Sequence, residues 1–228
     1  MAVALLTDFG LSDTYVGVMK GVMLGISPAA QFIDITHGIE PQNVRQAALA
    51  LMNAVRYFPM GTVFLVVVDP GVGTSRRPIA VQAGGYAFVA PDNGVLSYAL
   101  SRFDNVRAVE ITQSLPDASN TFHGRDVFAP AAAKLSVGAP LESLGTPLPR
   151  LVTMPAPQLD IDSTGRVFGE IVHIDRFGNL ITSIGHMRWV NDARLTLVSA
   201  FSRATDPLPV LAERAEVRVG GTVIMNIR

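Results

Sequence analysis

The chain has 228 residues, of which 49% are hydrophobic and 16% charged, and its formal net charge is −1. That length holds one large domain or a medium and a small one with a sizeable core, which excludes a disordered or solvating chain. The near-neutral balance without a Lys/Arg run argues against nucleic acid or an anionic membrane as partner. The absence of cysteine excludes disulfides, thiolate metal sites and a cysteine nucleophile.

The opening Met-Ala-Val-Ala-Leu-Leu-Thr-Asp has no basic segment and too short an apolar run for a signal peptide. No apolar stretch approaches the roughly 20 residues that span a bilayer. The expectation is a cytoplasmic protein.

Up to about residue 139, short apolar runs alternate with longer helical patterns, the mark of βαβ units around a mostly parallel sheet. Residues 3–6 read as a buried strand. Tyr15–Ile26 follows as a helix with Val18, Val22 and Ile26 on one face and Pro28 beyond its end. Residues 32–35 read as the next strand. Asn43 can cap a helix running through Tyr57, with Ala47, Leu51, Ala54 and Phe58 as its core stripe. Residues 63–68 are all apolar and rich in β-branched side chains, as in a strand covered on both faces. Residues 78–83 and 86–90 read as two more strands, and 94–102 and 127–137 as helices.

Prolines at 140, 147, 149, 155 and 157 then mark a linker over about residues 140–157. Alternating segments at 166–174, 180–184, 194–198, 216–219 and 222–227 follow, suggesting a small antiparallel sandwich or barrel. The predicted organisation is an N-terminal α/β/α domain over residues 1–150 and a smaller C-terminal antiparallel β-barrel-like domain over 158–228.

In an open parallel sheet, ligands gather beyond the carboxyl ends of the strands. Four strand ends here carry polar residues beside Gly or Pro: Thr7-Asp8-Phe9-Gly10, Asp34-Ile35-Thr36-His37-Gly38, Val68-Asp69-Pro70-Gly71-Val72-Gly73-Thr74 and Pro91-Asp92-Asn93-Gly94. Each alone reads as a turn; four on one rim point to a site without naming a reaction. The Asp69 segment lacks the order of a phosphate loop and of a dinucleotide fingerprint, so a nucleoside-triphosphate site is rejected. What remains is a carboxylate followed seven and eight residues later by Arg76 and Arg77, either a loop clamp or a working pair.

In Thr121-Phe122-His123-Gly124-Arg125-Asp126, Asp126 suits a helix N-terminus and Arg125 can pair with it locally. Gly124 beside His123 permits close approach to a ligand. His37 reads as a turn or supporting residue. In the second domain, Asp175-Arg176-Phe177-Gly178-Asn179 is either a plain hairpin turn or a stacking ring and an amide for a nucleobase edge.

These blocks, with Tyr15-Val16-Gly17 and Lys20-Gly21, stand in an order that resembles the S-adenosyl-L-methionine hydroxide adenosyltransferases, relatives of the fluorinase and chlorinase enzymes. The resemblance covers roughly residues 3 to 185. It implies an N-terminal α/β domain, a C-terminal β-barrel-like domain, and a homotrimer with the site between subunits. It further implies hydrolysis of S-adenosyl-L-methionine to adenosine and methionine by attack of water or hydroxide at ribose C5′, with no cofactor; the residues themselves show no metal-ligand spacing, so no metal is expected. By the same resemblance Asp69, Arg76 and His123 present the nucleophile and Asp8 holds the ribose hydroxyls. Asp175 would contact the methionine amino group, and Phe177 and Asn179 the adenine. Phe122 belongs with the substrate-binding set, beside Phe9 and Phe177, in an apolar pocket suited to an attack that neutralises charge.

Halogenating relatives have a non-acidic residue at the position of Asp69, so an intact Asp–Arg–His set favours hydroxide over halide. Relatives also carry a Ser/Gly-rich stretch, an apolar strand and an Asn near the C-terminus. Between Ser202 and Pro209 this chain has no such block, and the family-like pattern resumes at Gly221-Thr222-Val223. Arg76 and His123 can stabilise hydroxide as donors, or Asp69 and His123 can take the proton during attack; the sequence leaves both open. Methyl transfer lacks its expected Gly-rich loop after the first strand. Two other readings remain: a non-catalytic S-adenosylmethionine- or adenosine-binding regulator, and a metal-dependent phosphoesterase built on Asp8, Asp69, Asp92 and His123.

Overall fold

The computed structural model describes residues 1–163, 166–191, 194–198, 201, 208–211 and 216–224. It divides into two units, Met1–Pro155 and Ala156–Arg228. No helix among the described residues is long and apolar enough to cross a membrane.

The first unit runs β1 (Ala2–Thr7), α1 (Tyr15–Ile26), β2 (Gln31–Thr36), α2 (Val44–Val55), β3 (Val63–Val67), β4 (Pro78–Ala83), β5 (Tyr86–Pro91), α3 (Ser97–Leu100) and β6 (Arg107–Ile111). A π-helical turn (Gly124–Phe128) leads into α4 (Ala129–Ser136), and a 3-10 turn (Leu141–Leu144) into β7 (Gly145–Pro147). The seven strands form one sheet in the order β2-β1-β3-β5-β4-β6-β7. β2, β1, β3 and β5 are mutually parallel, whereas β4, β6 and β7 join by antiparallel pairing. The carboxyl ends of the four parallel strands share one rim, which carries the Asp8, His37, Asp69 and Asp92 segments.

Side chains on successive strand residues point to opposite faces, and both faces of this sheet are apolar. Val3, Leu5, Val63, Leu65 and Val67 join Met19 and Met23 of α1 and Ala132 of α4 in one core. Ala4, Leu6, Phe64, Val66 and Val68 join Ala47 and Leu51 of α2 in the other. This is why β1 and β3 read as unbroken apolar runs rather than alternating ones. Asn43 caps α2, its side chain accepting the Gln46 N–H at 3.0 Å, and α1 stops at Ile26 before Pro28.

Three expectations are corrected. The helix expected over 94–102 shrinks to Ser97–Leu100, because Gly94 sits at φ +92° and delays its start. The helix expected to begin at Val127 begins three residues earlier, as the π-helical turn. Most of all, the Pro-rich stretch from 140 to 157 is no free linker. It opens with the 3-10 turn and β7, an edge strand of sequence Gly-Thr-Pro. Leu148 and Leu151 pack against the second core, and the Leu148 N–H reaches the Ala108 carbonyl at 2.8 Å. β6 also escaped the sequence, having only five residues with a charged one at the first and fourth positions.

The second unit consists of small antiparallel sheets: β8 (Leu159–Ile161) with β9 (Val167–Gly169), β10 (Ile171–Ile174) with β11 (Leu180–Thr182), β12 (His186–Asn191) with β13 (Arg194–Val198) and β14 (Leu208–Leu211), and β15 (Val217–Val219) with β16 (Thr222–Ile224). Among the described residues these sheets do not join into a barrel. The strand expected over 166–174 breaks at Glu170, whose N–H turns to Ser183 Oγ at 2.9 Å. The end of the segment expected over 222–227, and residues 202–207 of the stretch that lacks the relatives' block, lie outside the described residues.

The docking of β7 depends on close backbone approach. A Cβ added at Gly145 would lie 1.8 Å from the Glu110 carbonyl oxygen, which no side-chain rotation relieves. Gly145→Ala is therefore expected to cost about 1–3 kcal/mol, in the range of overpacked sites. Chemical denaturation would show this as a lowered midpoint; an unchanged midpoint would mean that β7 is dispensable to the sheet.

Candidate active site

The loop after β3 is built to bring Arg76 back onto Asp69. The Val72 N–H reaches the Asp69 carbonyl at 3.2 Å, and Thr74 donates both its N–H (3.1 Å) and its hydroxyl (2.7 Å) to the Gly71 carbonyl. Gly73 takes φ +78°, a left-handed conformation that costs glycine little. From β5, the Asn93 side-chain amide holds the Val68 carbonyl at 2.9 Å, one residue before Asp69.

Arg76 Nε then donates to Asp69 Oδ1 and Oδ2 at 2.9 and 2.8 Å, and Arg76 Nη2 also donates to Oδ2. The two side chains are 9% and 6% exposed. The same Nη2 lies 2.8 Å from His123 Nδ1. Since a guanidinium only donates, Nδ1 must be the acceptor, which assigns the ring proton to Nε2. Arg76 Nη1 is buried without a hydrogen-bond partner among the described residues. The guanidinium carbon sits 5.1 Å from the Phe128 ring centroid, and His123 meets the same ring edge-on at 6.5 Å.

His123 is carried by the π-helical turn. A Cβ on Gly124 would come within 3.0 Å of Met19 Sδ, 3.4 Å of Phe122 and 3.5 Å of Phe9, so glycine lets this turn close onto α1. Asp126 is nearly fully buried, pairs with Arg125 at 2.6 and 2.8 Å and accepts the Ser119 N–H at 2.8 Å. The Arg125 hydrogen bond chiefly holds its carboxyl below the ordinary range. Arg125 and Asp126 are thus local structure, as the helix-terminus reading expected. Burial first, and the Arg76 charge second, push the His123 imidazole below the usual histidine range, against the opposite pull of Asp69 and Asp126.

Asp8 sits half-buried on the same rim and accepts the Gln42 backbone N–H at 2.7 Å through Oδ2. Phe122 meets Tyr15 edge-on at 5.2 Å, Tyr15 meets Phe9 at 5.7 Å, and Arg125 stacks over Phe122 at 5.0 Å. Asp92 goes elsewhere: its side chain is 1% exposed, it pairs with Arg77, and Oδ1 accepts the Val152 N–H at 2.8 Å. It is a clamp for the docked Pro-rich stretch. With Asp69 engaged by Arg76 and Asp92 by Arg77, the set invoked for a phosphoesterase does not converge. No group of three or more His, Asp or Glu side chains forms a metal cage among the described residues.

In the second unit, Asp175 Oδ1 accepts the N–H groups of Phe177 and Asn179 at 2.8 and 2.9 Å, and the Asn179 amide donates to Oδ2 at 2.6 Å. The Asn179 amide is the main reason the Asp175 carboxyl is held below its ordinary range. The turn projects the Phe177 ring, 81% exposed, with Arg176 at 5.5 Å from its centroid. Sequence reasoning missed two contributors. Gln42 holds Asp8 from a left-handed backbone, φ +66°, that its residue type does not announce. Asn93 read only as a turn former.

Residues 3–145 match the family model described as the SAM hydroxide adenosyltransferase N-terminal domain. The chain is similar to the (R)-S-adenosyl-L-methionine hydrolase of Salinispora tropica, 44% identical over 76% of this chain and 68% of that one. It is also similar to the enzyme of the same name from Thermus thermophilus, 40% identical over 90% and 85%. The fluorinase of Actinopolyspora mzabensis is 31% identical over 80% and 71%. A crystal structure of an uncharacterized conserved protein from Thermotoga maritima superposes with a TM-score of 0.76 at 44% identity, covering 80% of this chain and 71% of that one.

The His123 environment sets a pH dependence. In the unfolded chain a histidine titrates near 6.5, and here the folded value is lower. Between the two values the unfolded chain holds the extra proton, so stability is intact above about pH 6.5 and falls as pH drops towards the folded value. Denaturant unfolding across pH 5–8 should show this slope, and His123→Gln should flatten it. An identical slope in the variant would assign it to other groups.

Proposed function

The chain belongs to the SAM hydroxide adenosyltransferase family, and from that premise we propose how its own residues carry out the hydrolysis of S-adenosyl-L-methionine to adenosine and methionine. The hydroxide oxygen attacks ribose C5′, the C5′–S bond breaks, and its electron pair leaves with sulfur as a neutral thioether. The leaving group needs no acid. The demand falls on the nucleophile: lowering the pKa of water from about 15.7 to about 7 is worth roughly 12 kcal/mol.

One observation carries the assignment of that task. Arg76 is neutralised by Asp69, gives Nη2 to His123 Nδ1, and keeps the buried Nη1 unpartnered among the described residues. Arg76 and His123 Nε2–H are then two donors suited to an oxyanion. Of the two routes left open by the sequence, this supports stabilisation of hydroxide by donors, because a proton on His123 Nδ1 would break the contact with Arg76. Asp69 sets the arginine and offsets its charge. Asp8 holds the ribose hydroxyls with the carboxylate capacity that Gln42 leaves over, and Phe122 with Phe9 and Tyr15 forms a dry wall for the attack. Asp175, Phe177 and Asn179 take the methionine amino group and the adenine.

The proposal extends to finer points: the substrate is the (R) epimer at sulfur, as the names of the hydrolase relatives specify, no cofactor is required, and the enzyme is cytoplasmic. It acts as a homotrimer whose site lies between subunits, with the second unit closing barrel-like. The exposed Leu11 (83%) and Phe177 (81%) support a site completed by another copy.

Chromatography of products tests the reaction. Incubated with each sulfonium epimer and no acceptor, the size-exclusion fraction corresponding to three chains should release adenosine and methionine faster from the (R) form. S-adenosylhomocysteine as product, or unchanged substrate, would remove the hydrolase reading, and equal rates would remove the stereochemical one. A peak of activity at the mass of one chain would remove the trimer.

Variants separate nucleophile from substrate binding. Asp69→Ala, Arg76→Ala and His123→Ala should each lower kcat by about 10² or more with little change in calorimetric affinity. Asp8→Ala should instead weaken binding by roughly 1.5–3 kcal/mol, the cost of a hydrogen bond to a charged acceptor. If Asp69 and Arg76 were only a loop clamp, Tm would fall and turnover of the folded fraction would hold.

A further inference from the structure

His37 stands where the chain leaves β2, and the mechanism above does not use it. It is 5% exposed. Its ring Nδ1 lies 2.9 Å from Thr7 Oγ1. Its Nε2 lies 3.1 Å from Asp34 Oδ1, in ion-pair range but too oblique for a hydrogen bond, and Asp34 Oδ2 takes the Lys20 ammonium at 2.7 Å. On the far side, Thr7 is fully buried and its hydroxyl oxygen accepts the Phe9 N–H at 3.2 Å, while the His37 carbonyl accepts the Gly10 N–H at 2.8 Å. Asp8 therefore lies between two tethers that both run to His37.

The row has a direction. Burial raises the Asp34 carboxyl, but Lys20 and His37 outweigh it and hold it below its ordinary range, so a carboxylate faces Nε2. That assigns the ring proton to Nε2 and leaves Nδ1 as acceptor. The Thr7 hydroxyl then donates to Nδ1 and offers its lone pairs to Phe9. A carboxylate, an imidazole and a hydroxyl in a row resemble a nucleophilic triad, but the 0% exposure of Thr7 keeps its oxygen from any substrate. We infer that His37 is a positioning residue for the substrate-binding carboxylate Asp8, fixing the turn from Thr7 to Gly10 through its ring and its main-chain carbonyl. A displacement of about 1 Å at such a residue is enough to spoil productive binding. The inference rests on the assignment of Asp8 to the ribose hydroxyls.

A double-mutant cycle tests it with S-adenosyl-L-methionine as the probe, reading KM, kcat and calorimetric Kd. His37→Leu should raise KM and Kd by about fivefold to tenfold, the worth of one hydrogen bond, with kcat within about twofold. His37→Asn, whose amide oxygen can replace Nδ1 as acceptor, should recover most of the affinity. Thr7→Val, nearly isosteric, should reproduce the His37→Leu effect and serves if His37→Leu does not fold. In an Asp8→Ala background, His37→Leu or Thr7→Val should add less than about twofold, because coupled residues are not additive. A full additional loss in that background would overturn the inference and leave the Asp8 assignment standing. An Asp8→Ala protein that binds normally would sink the assignment and the inference together. A fall in kcat alone would also refute a positioning role through Asp8.

Discussion

Burying a guanidinium against a carboxylate takes two charges out of water, and attraction offsets that cost only when the geometry is tight and the remaining donors are used. In this chain the pair is Asp69–Arg76, and its donors are not all used within the described residues. Nε and part of Nη2 serve Asp69, Nη2 reaches His123, and the buried Nη1 has no partner. As a pure loop clamp this would be a wasteful arrangement, since an unsatisfied buried donor costs about 1–3 kcal/mol. The neighbouring Arg77–Asp92 pair, where Arg77 also turns to the Arg150 carbonyl, shows what a clamp in this fold looks like. The contrast between the two arginines, adjacent in sequence, supports the proposal that Arg76 works in the chemistry while Arg77 holds the loop.

The sheet delivers the parts. Parallel pairing sets Thr7 opposite Val67, so Asp8 and Asp69 leave neighbouring strands one and two residues later. β5 runs parallel to β3 and brings Asn93 to the Val68 carbonyl, which steadies the point from which the Asp69 loop springs. α1 contributes Met19 as the surface on which the His123 turn seats, and Gly124 is the residue that allows the seat to be close. A strand order that separated β1 from β3 would leave the same residue types without a common site.

Much of this was legible because local chemistry and tertiary role agreed. The unbroken apolar run of β3 read as a strand covered on both sides, the Asn43 cap followed from its residue type, and Asp69, Arg76 and His123 lay in blocks whose order resembled a family. What stayed hidden was of two kinds. β7 and the docked proline stretch carry no strand propensity; they are held by what Gly145 permits and by Leu148 and Leu151 reaching the core, which are tertiary facts. His37 read as no more than a turn or supporting residue and Gln42 drew no reading at all, because their contacts are made by a ring nitrogen and a backbone N–H with partners 30 and 34 residues away. Asp92 shows the reverse error: its residue type and rim position suggested chemistry, and burial against Arg77 assigns it to structure.

Charge balance at the rim closes the argument. The substrate arrives as a sulfonium cation, and an unpaired arginine facing it would repel it in a site where water screens weakly. Asp69 cancels that charge without consuming all of the arginine's donors, so the site keeps hydrogen-bonding capacity for an anion without presenting a net cation to the substrate. The lowered His123 pKa serves the same end, since a protonated ring would add a second positive charge beside Arg76. On the proposed mechanism hydroxide is then the uncompensated charge in the pocket, attracted to the sulfonium it attacks and held by Arg76 and His123. As the C5′–S bond breaks, anion and cation cancel, which favours the apolar wall of Phe9, Tyr15 and Phe122 over a wet cleft. A neutralised arginine with a spare buried donor thus suits the role proposed for Arg76, holding hydroxide beside a cation.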